Sequence, residues 1–199
     1  VQLDSGEEIT AHCPNTGRMT SCLGDGFRVA LSKSDNPKRK LNYTLELVNN
    51  GKTWIFVNTS KTNGIVSELL LNNKITEFSD ISELKSEVKF DDETRFDFQF
   101  KQNHQTVWLE VKNVSLSETG IAKFPDAVSE RGAKHLTKLT QIANSGGNAA
   151  MLYFIARGDT QGFEIAKNID PNYYKHYEIA KSAGVKMLVL QSVVTPKGI

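Results

Sequence analysis

The chain is poor in cysteine and proline, has no long apolar run, and carries almost no net charge. Cys13 and Cys22 are the only cysteines among 199 residues. They are too few for a disulfide framework and lack the second pair that a structural zinc site needs. Free thiols in a reducing cytoplasm are expected. No apolar stretch approaches the ~20 residues that span a bilayer, and the N-terminus has no signal-peptide pattern. No membrane association is therefore expected. Lys and Arg number 24 against 23 Asp and Glu, a net charge of +1. The field of the whole molecule thus gives no argument for a polyanion partner, and any such argument must come from local clusters. Internal repeats and low-complexity segments are also missing.

What remains is an ordinary globular composition, 39% hydrophobic and 24% charged. The length suits one large domain or two small ones with real cores. The first residue is Val1, and Val1-Gln2-Leu3 already reads as strand, so the chain is read as trimmed at its start. Residues 1–60 read as short strands broken by turns: Glu8 to His12, Phe27 to Leu31, Tyr43 to Val48 and Trp54 to Val57. Asn49-Asn50-Gly51 is a hairpin signal between the last two. Strands spaced this closely suggest a small barrel of the five-stranded OB type.

Residues 61–199 read as a second unit. A helical segment carries Ile65, Val66, Leu69 and Leu70 at helical spacing, followed by strands Glu87 to Phe90, Arg95 to Lys101 and Thr106 to Val114. After a turn at Glu118-Thr119-Gly120, a helix is predicted from Asp126, its N-cap, to Ala143. Its apolar stripe is Val128, Leu136, Leu139 and Ile142. The apolar run Ala149 to Ala156 reads as a strand buried on both faces, followed by a helix from Pro171 to Ala183 and a strand from Val185 to Val194. The pattern predicts a mixed sheet flanked by helices.

The chemistry concentrates on two strands. In Arg95-Phe96-Asp97-Phe98-Gln99-Phe100, alternation puts the three phenylalanines on one face and Arg95, Asp97 and Gln99 on the other. In the next strand Trp108, Glu110 and Lys112 share a face. Antiparallel pairing would bring Asp97 opposite Glu110, with Lys112 alongside. Two carboxylates without a cation between them repel, whereas Mg²⁺ or Mn²⁺ wants oxygen ligands and keeps waters. A metal there would offset charge on a scissile phosphate, and a lysine would orient the attacking water. An ordinary charged strand face is the bland alternative.

Two basic clusters offer phosphate contacts. Lys33, Lys38, Arg39 and Lys40 gather in a barrel loop near Tyr43 and Trp54, a pairing of cations with aromatics that suits nucleic acid, though a solvated loop would look the same. Arg131, Lys134, His135 and Lys138 lie along the polar side of the long helix, as phosphate clamps or as a solvated helix face. His12 is a weak binding candidate, and core packing or loop positioning is the expected role of Cys13.

Several segments carry a resemblance. They are Ala11-His12-Cys13-Pro14-Asn15-Thr16-Gly17-Arg18-Met19-Thr20, Ser34-Asp35-Asn36-Pro37-Lys38-Arg39-Lys40, Val57-Asn58-Thr59, Arg95-Phe96-Asp97-Phe98, Glu110-Val111-Lys112-Asn113-Val114, and Phe124-Pro125-Asp126 through Leu136. In this order they resemble the sugar fermentation stimulation protein family of prokaryotes over nearly the whole chain. The resemblance implies an N-terminal OB-like domain, here without part of its first strand, and a restriction-endonuclease-like domain of the PD-(D/E)XK nuclease class. It implies Asp97, Glu110 and Lys112 as the catalytic set, with the Val111 carbonyl as a further metal ligand beside Asp97 and Glu110. Another acid is expected on the first helix, Glu68, with Glu87 as the fallback. Asn15, Thr16 and Arg18 sit in a family motif and would line a binding surface. The implied function is a metal-dependent DNA or RNA nuclease, or else a non-catalytic DNA-binding regulator of sugar (maltose) metabolism genes. A homodimer is left open.

Overall fold

A computed structural model describes residues 1–198. The N-terminal unit contains β1 (Ala11–His12), β2 (Arg28–Lys33), β3 (Tyr43–Asn49) and β4 (Trp54–Phe56). β3 is its centre, pairing antiparallel with β2 and β4 and parallel with β1. The β3–β4 hairpin turns where the sequence predicts. Gly51 takes the left-handed φ of 86°, a conformation only glycine adopts without cost, and the Asn50 side chain accepts from the amides of Lys52 and Thr53.

The second unit opens with α1 (Thr62–Leu71), then β5 (Ser82–Lys89), β6 (Arg95–Gln102) and β7 (Gln105–Val114) as a meander. Next come the short β8 (Leu116–Glu118) and β9 (Ile121–Phe124), then α2 (Glu130–Asn144), β10 (Asn148–Ile155), β11 (Gly162–Ile165), α3 (Pro171–Ser182) and β12 (Lys186–Gln191). The main sheet has five strands in the order β12-β10-β7-β6-β5, with β10 parallel to both neighbours. β10 is buried along nearly its whole length, as its unbroken apolar run requires.

Two apolar layers cover this sheet. On one face Val66 and Leu70 of α1 pack with Phe98, Phe100, Leu109, Val111 and Leu152, and with Leu47 and Phe56 of the N-terminal unit. On the other face Leu136, Leu139 and Ile142 of α2 pack with Met151, Tyr153 and Tyr173. The first layer is therefore one core shared by both units. A β-bridge from Ile55 to Arg157 reinforces the junction.

Four sequence expectations need correction. Phe96 does not share a face with Phe98 and Phe100; it joins the α2 layer, because β6 leaves the regular ladder at this point. Helix α2 starts at Glu130, with the Ser129 side chain accepting from the Gly132 amide as its N-cap. Asp126 lies outside the helix, engaged by the N-terminal unit, and Val128 is 66% exposed. Finally, β8, β9 and β11 form a small second sheet that the sequence reading passes over. Strands of three or four residues carry too few alternations to register.

Candidate active site

The site forms where two paired strands part. β6 and β7 run as an antiparallel ladder from Gln102↔Gln105 to Phe98↔Leu109. One step further Asp97 would face Glu110, but the ladder stops. The Val111 amide, left without a backbone acceptor across the split, donates instead to Asp97 Oδ2 at 2.7 Å. Buried amides demand a partner, so the side chain takes the place of the missing strand. Asn63, in the first turn of α1, donates to Asp97 Oδ1 at 2.8 Å and to Glu87 Oε1 at 3.0 Å.

Glu110 projects on the same face as Lys112, as strand alternation predicts, and is only 3% exposed. Its Oε1 accepts from Lys112 Nζ at 2.6 Å and from His135 Nδ1. Its Oε2 is buried with no hydrogen-bond partner, and Asn113 Nδ2 is in the same condition. Both residues line one cavity of about 410 Å³, together with Asp97, Val111 and Lys112.

The two acids sit in opposite electrostatic states. Burial, reinforced by the charge of Glu110, pushes the Asp97 carboxyl up to about 7. Burial pushes Glu110 up as well, but the Lys112 ammonium and His135 more than offset it and hold that carboxyl below its ordinary value. Carboxylates this close cannot both ionise comfortably without added positive charge. Among the described residues no group of three or more His, Cys, Asp or Glu forms a metal cage. Any cation would therefore rest on two acids, backbone carbonyls and water, a donor set suited to Mg²⁺ or Mn²⁺.

The N-terminal unit supplies the opposite wall. Asn15, Thr16 and Gly17 line the same cavity. Their loop is tied down twice: Asp126 Oδ2 accepts from the Met19 amide at 3.2 Å, and Thr59 Oγ1 donates to the Pro14 carbonyl at 3.0 Å. Gly17 lies against the Asp126 carboxylate, where an added Cβ would stand 2.3 Å from Oδ2.

The other expected residues divide. Glu68 is exposed on α1 and faces a different groove, beside Glu46 and Lys61. It does not join the site, because the helix presents its first turn, where Asn63 lies, and not its second to Asp97. Glu87, the fallback, reaches the cluster through Asn63. His135 is not a solvent-facing phosphate contact; it is 3% exposed and bonded to Glu110. Arg131 is exposed on the cavity wall. Lys134 and Lys138 are paired with Glu93 and Asp91 of the β5–β6 turn. Lys33, Lys38 and Lys40 are exposed, with Lys33 over the Tyr43 ring, while Arg39 bonds Thr44. Trp54 is half-buried and packs against the shared core. Cys13 is exposed, and Cys22 is the buried thiol. Arg18 is exposed and outside the cavity wall. Asn63, Asn113 and Asp126 escaped the residue-by-residue reading; Asn113 follows the Glu-x-Lys pattern directly, but the other two are brought in by tertiary contacts alone.

An OB-type unit joined to a mixed sheet with acids at its split places the chain among two-part proteins with a restriction-endonuclease-like domain. Family models narrow this: the SfsA N-terminal OB domain matches residues 1–57, and the sugar fermentation stimulation protein RE domain matches residues 60–198. The chain belongs to the sugar fermentation stimulation protein family. A homolog from Pelagibacter ubique is 45% identical over 97% of this chain and 84% of its own length. One from Geobacter sulfurreducens is 41% identical over the whole chain and 85% of its own length. Among solved structures, Pyrococcus furiosus SfsA in complex with Ca²⁺ aligns with a TM-score of 0.86 at 21% identity, covering 94% of this chain and 80% of that one. At that identity the likeness speaks for the fold. No helix among the described residues is long and apolar enough to cross a membrane.

Proposed function

We propose that this protein is a divalent-metal-dependent nuclease that hydrolyses phosphodiester bonds in DNA or RNA. One observation carries the reading: a buried Glu110 oxygen with no hydrogen-bond partner beside a second carboxylate whose ionisation it opposes. An acceptor with no donor costs about 1–3 kcal/mol when buried, and a cation relieves it. The donor set fits: Asp97, Glu110 and the Val111 carbonyl would hold the metal. In an extended strand the N–H and C=O of one residue leave on the same side, so that carbonyl faces the Asp97 edge. A bound Mg²⁺ or Mn²⁺ would supply Lewis-acid stabilisation of the phosphate and a lowered pKa for bound water. That the Pyrococcus furiosus relative was solved with Ca²⁺ agrees with a site for divalent cations.

The chain's own residues do the rest. Lys112, its ammonium held 2.6 Å from Glu110, orients the attacking water and offsets charge building on the phosphate. Asn113 Nδ2 offers a free donor inside the cavity. Arg131 on the wall engages the neighbouring phosphate, and the exposed Lys33, Lys38 and Lys40 steer the strand from the N-terminal unit. The test is incubation of the protein with single- and double-stranded DNA and RNA in Mg²⁺, Mn²⁺ or EDTA. Cleavage is expected with metal only, falling at least ~10²-fold in Lys112→Ala. Retention of DNA without any cleavage would favour the alternative of a binding-only regulator of sugar (maltose) metabolism genes. Cleavage that persists in EDTA would overturn the metal assignment. Nucleic-acid affinity is expected to fall with salt, and each of Lys33→Ala, Lys38→Ala and Lys40→Ala to reduce the log–log slope by about 1.

A further inference from the structure

The buried imidazole of His135 has no part in the chemistry just described, although it lies at its centre. It sits on the sheet-facing side of α2, 3% exposed, with Phe96 packed edge-on against its ring at 5.9 Å between centroids. Both ring nitrogens are engaged. Nδ1 meets Glu110 Oε1, and Nε2 accepts from Arg131 Nε at 3.5 Å. Lys112 Nζ also stands 3.5 Å from Nδ1, but the closer partner of Nδ1 is a carboxylate oxygen, while Nε2 faces a guanidinium that can only donate. The tautomer with its proton on Nδ1, directed at the glutamate, satisfies both nitrogens. Oε1 thus receives two donors, from Lys112 and His135, while Oε2 receives none. The carboxylate is fixed at one oxygen and left without a donor at the other.

We infer that His135 is a positioning residue that clamps Glu110 Oε1 so that Oε2 points into the cavity as a metal ligand. The inference rests on the proposed metal site and adds the device that orients it. Without the clamp, Glu110 is held by Lys112 alone, a flexible point donor that the proposed reaction also needs for water. Arg131 contributes indirectly by fixing which ring nitrogen bears the proton. Groups that orient a ligand from behind typically change metal affinity or activity 10–100-fold when removed.

The experiment is calorimetric titration of the full chain with Mn²⁺ alone, no nucleic acid present, alongside thermal unfolding in EDTA. His135→Leu is expected to bind Mn²⁺ 10–100-fold more weakly than wild type while still unfolding cooperatively. His135→Asn places an amide donor where Nδ1 stands and is expected to bind within about threefold of wild type, a rescue that a merely space-filling role would not give. If His135→Leu fails to fold, His135→Asn and His135→Gln decide between them. Gln carries its amide one bond too far out, so retained affinity in Asn and loss in Gln sustains the inference. Equal Mn²⁺ affinity in wild type and His135→Leu, or in the Asn and Gln variants where Leu does not fold, overturns the positioning role and leaves the metal site standing. Wild-type protein that binds no Mn²⁺ overturns both.

Discussion

At the scale of single residues, Asp97 carries the sharpest consequence. An acid whose folded pKa lies above its unfolded value of ~3.9 destabilises the fold as it ionises. With the folded value at about 7, its cost is absent below pH ~4, grows as pH rises, and is complete above about 7. Metal-free protein is therefore expected to lose stability across that window, by on the order of a few kcal/mol, as read from unfolding midpoints in EDTA. Saturating Mn²⁺ should flatten the profile, because a bound cation favours the ionised pair. Asp97→Asn keeps an oxygen to accept from the Val111 amide and removes the repulsion, at the cost of the bond from Asn63, whose amide then meets another donor. At pH 8 in EDTA it is expected to melt above wild type while losing cleavage. A lower midpoint for this variant would contradict the electrostatic account of the site.

Among the elements, the loop carrying Asn15 to Gly17 and the start of α2 depend on one another. Gly17→Ala forces the Asp126 carboxylate off the Met19 amide and is expected to cost about 1–3 kcal/mol. Adding Asp126→Ala opens the space the new methyl needs, so the double variant should be less destabilised than the two single costs summed. Strict additivity in thermal unfolding would show that the contact does not transmit strain. The α2 cap gives a companion prediction. Ser129→Ala should cost about 1 kcal/mol, since the Ser129 hydroxyl accepts from the Gly132 amide, whereas Asp126→Ala removes no cap from this helix.

For the whole molecule, the shared core decides how it unfolds. The N-terminal unit has a small apolar cluster of its own, Met19, Cys22, Val48, Ile55 and Val57. Leu47 and Phe56, however, bury themselves in the layer of Val66, Phe98 and Phe154, so part of its apolar surface is covered only by the second unit. A single cooperative transition is expected, and a fragment of residues 1–60 should lack cooperative unfolding by calorimetry. Arg157 reinforces the junction. It is 2% exposed, pairs with Asp159 at 2.6 and 2.8 Å, and donates to Ser21 Oγ and the Ser115 carbonyl. Arg157→Met leaves the half-buried Asp159 carboxylate without its cation, while the Ser115 carbonyl keeps the Ser21 hydroxyl as donor, and should cost about 1–3 kcal/mol in denaturant unfolding. Two separate transitions in the wild type would refute the coupling of the two units through the shared layer.

Glu110 and Lys112 were readable as a pair on one face, because period-two alternation along a single strand sets them there. The meander made Asp97 their neighbour, but the register expected to place it opposite Glu110 does not form, since the ladder ends at Phe98↔Leu109. The hairpin at Gly51 and the buried β10 were readable for the same reason: their signals lie within a few residues of one another. Tertiary structure alone decided the rest. The parting of β6 from β7 turned Phe96 to the other face, packing buried His135 that a helical pattern had left on a polar stripe, and Asp126 became a strut for a loop 107 residues distant. Each of these depends on which partner occupies the space beside a residue, and that is fixed by long-range packing and hydrogen-bond satisfaction. Local periodicity carries no record of it.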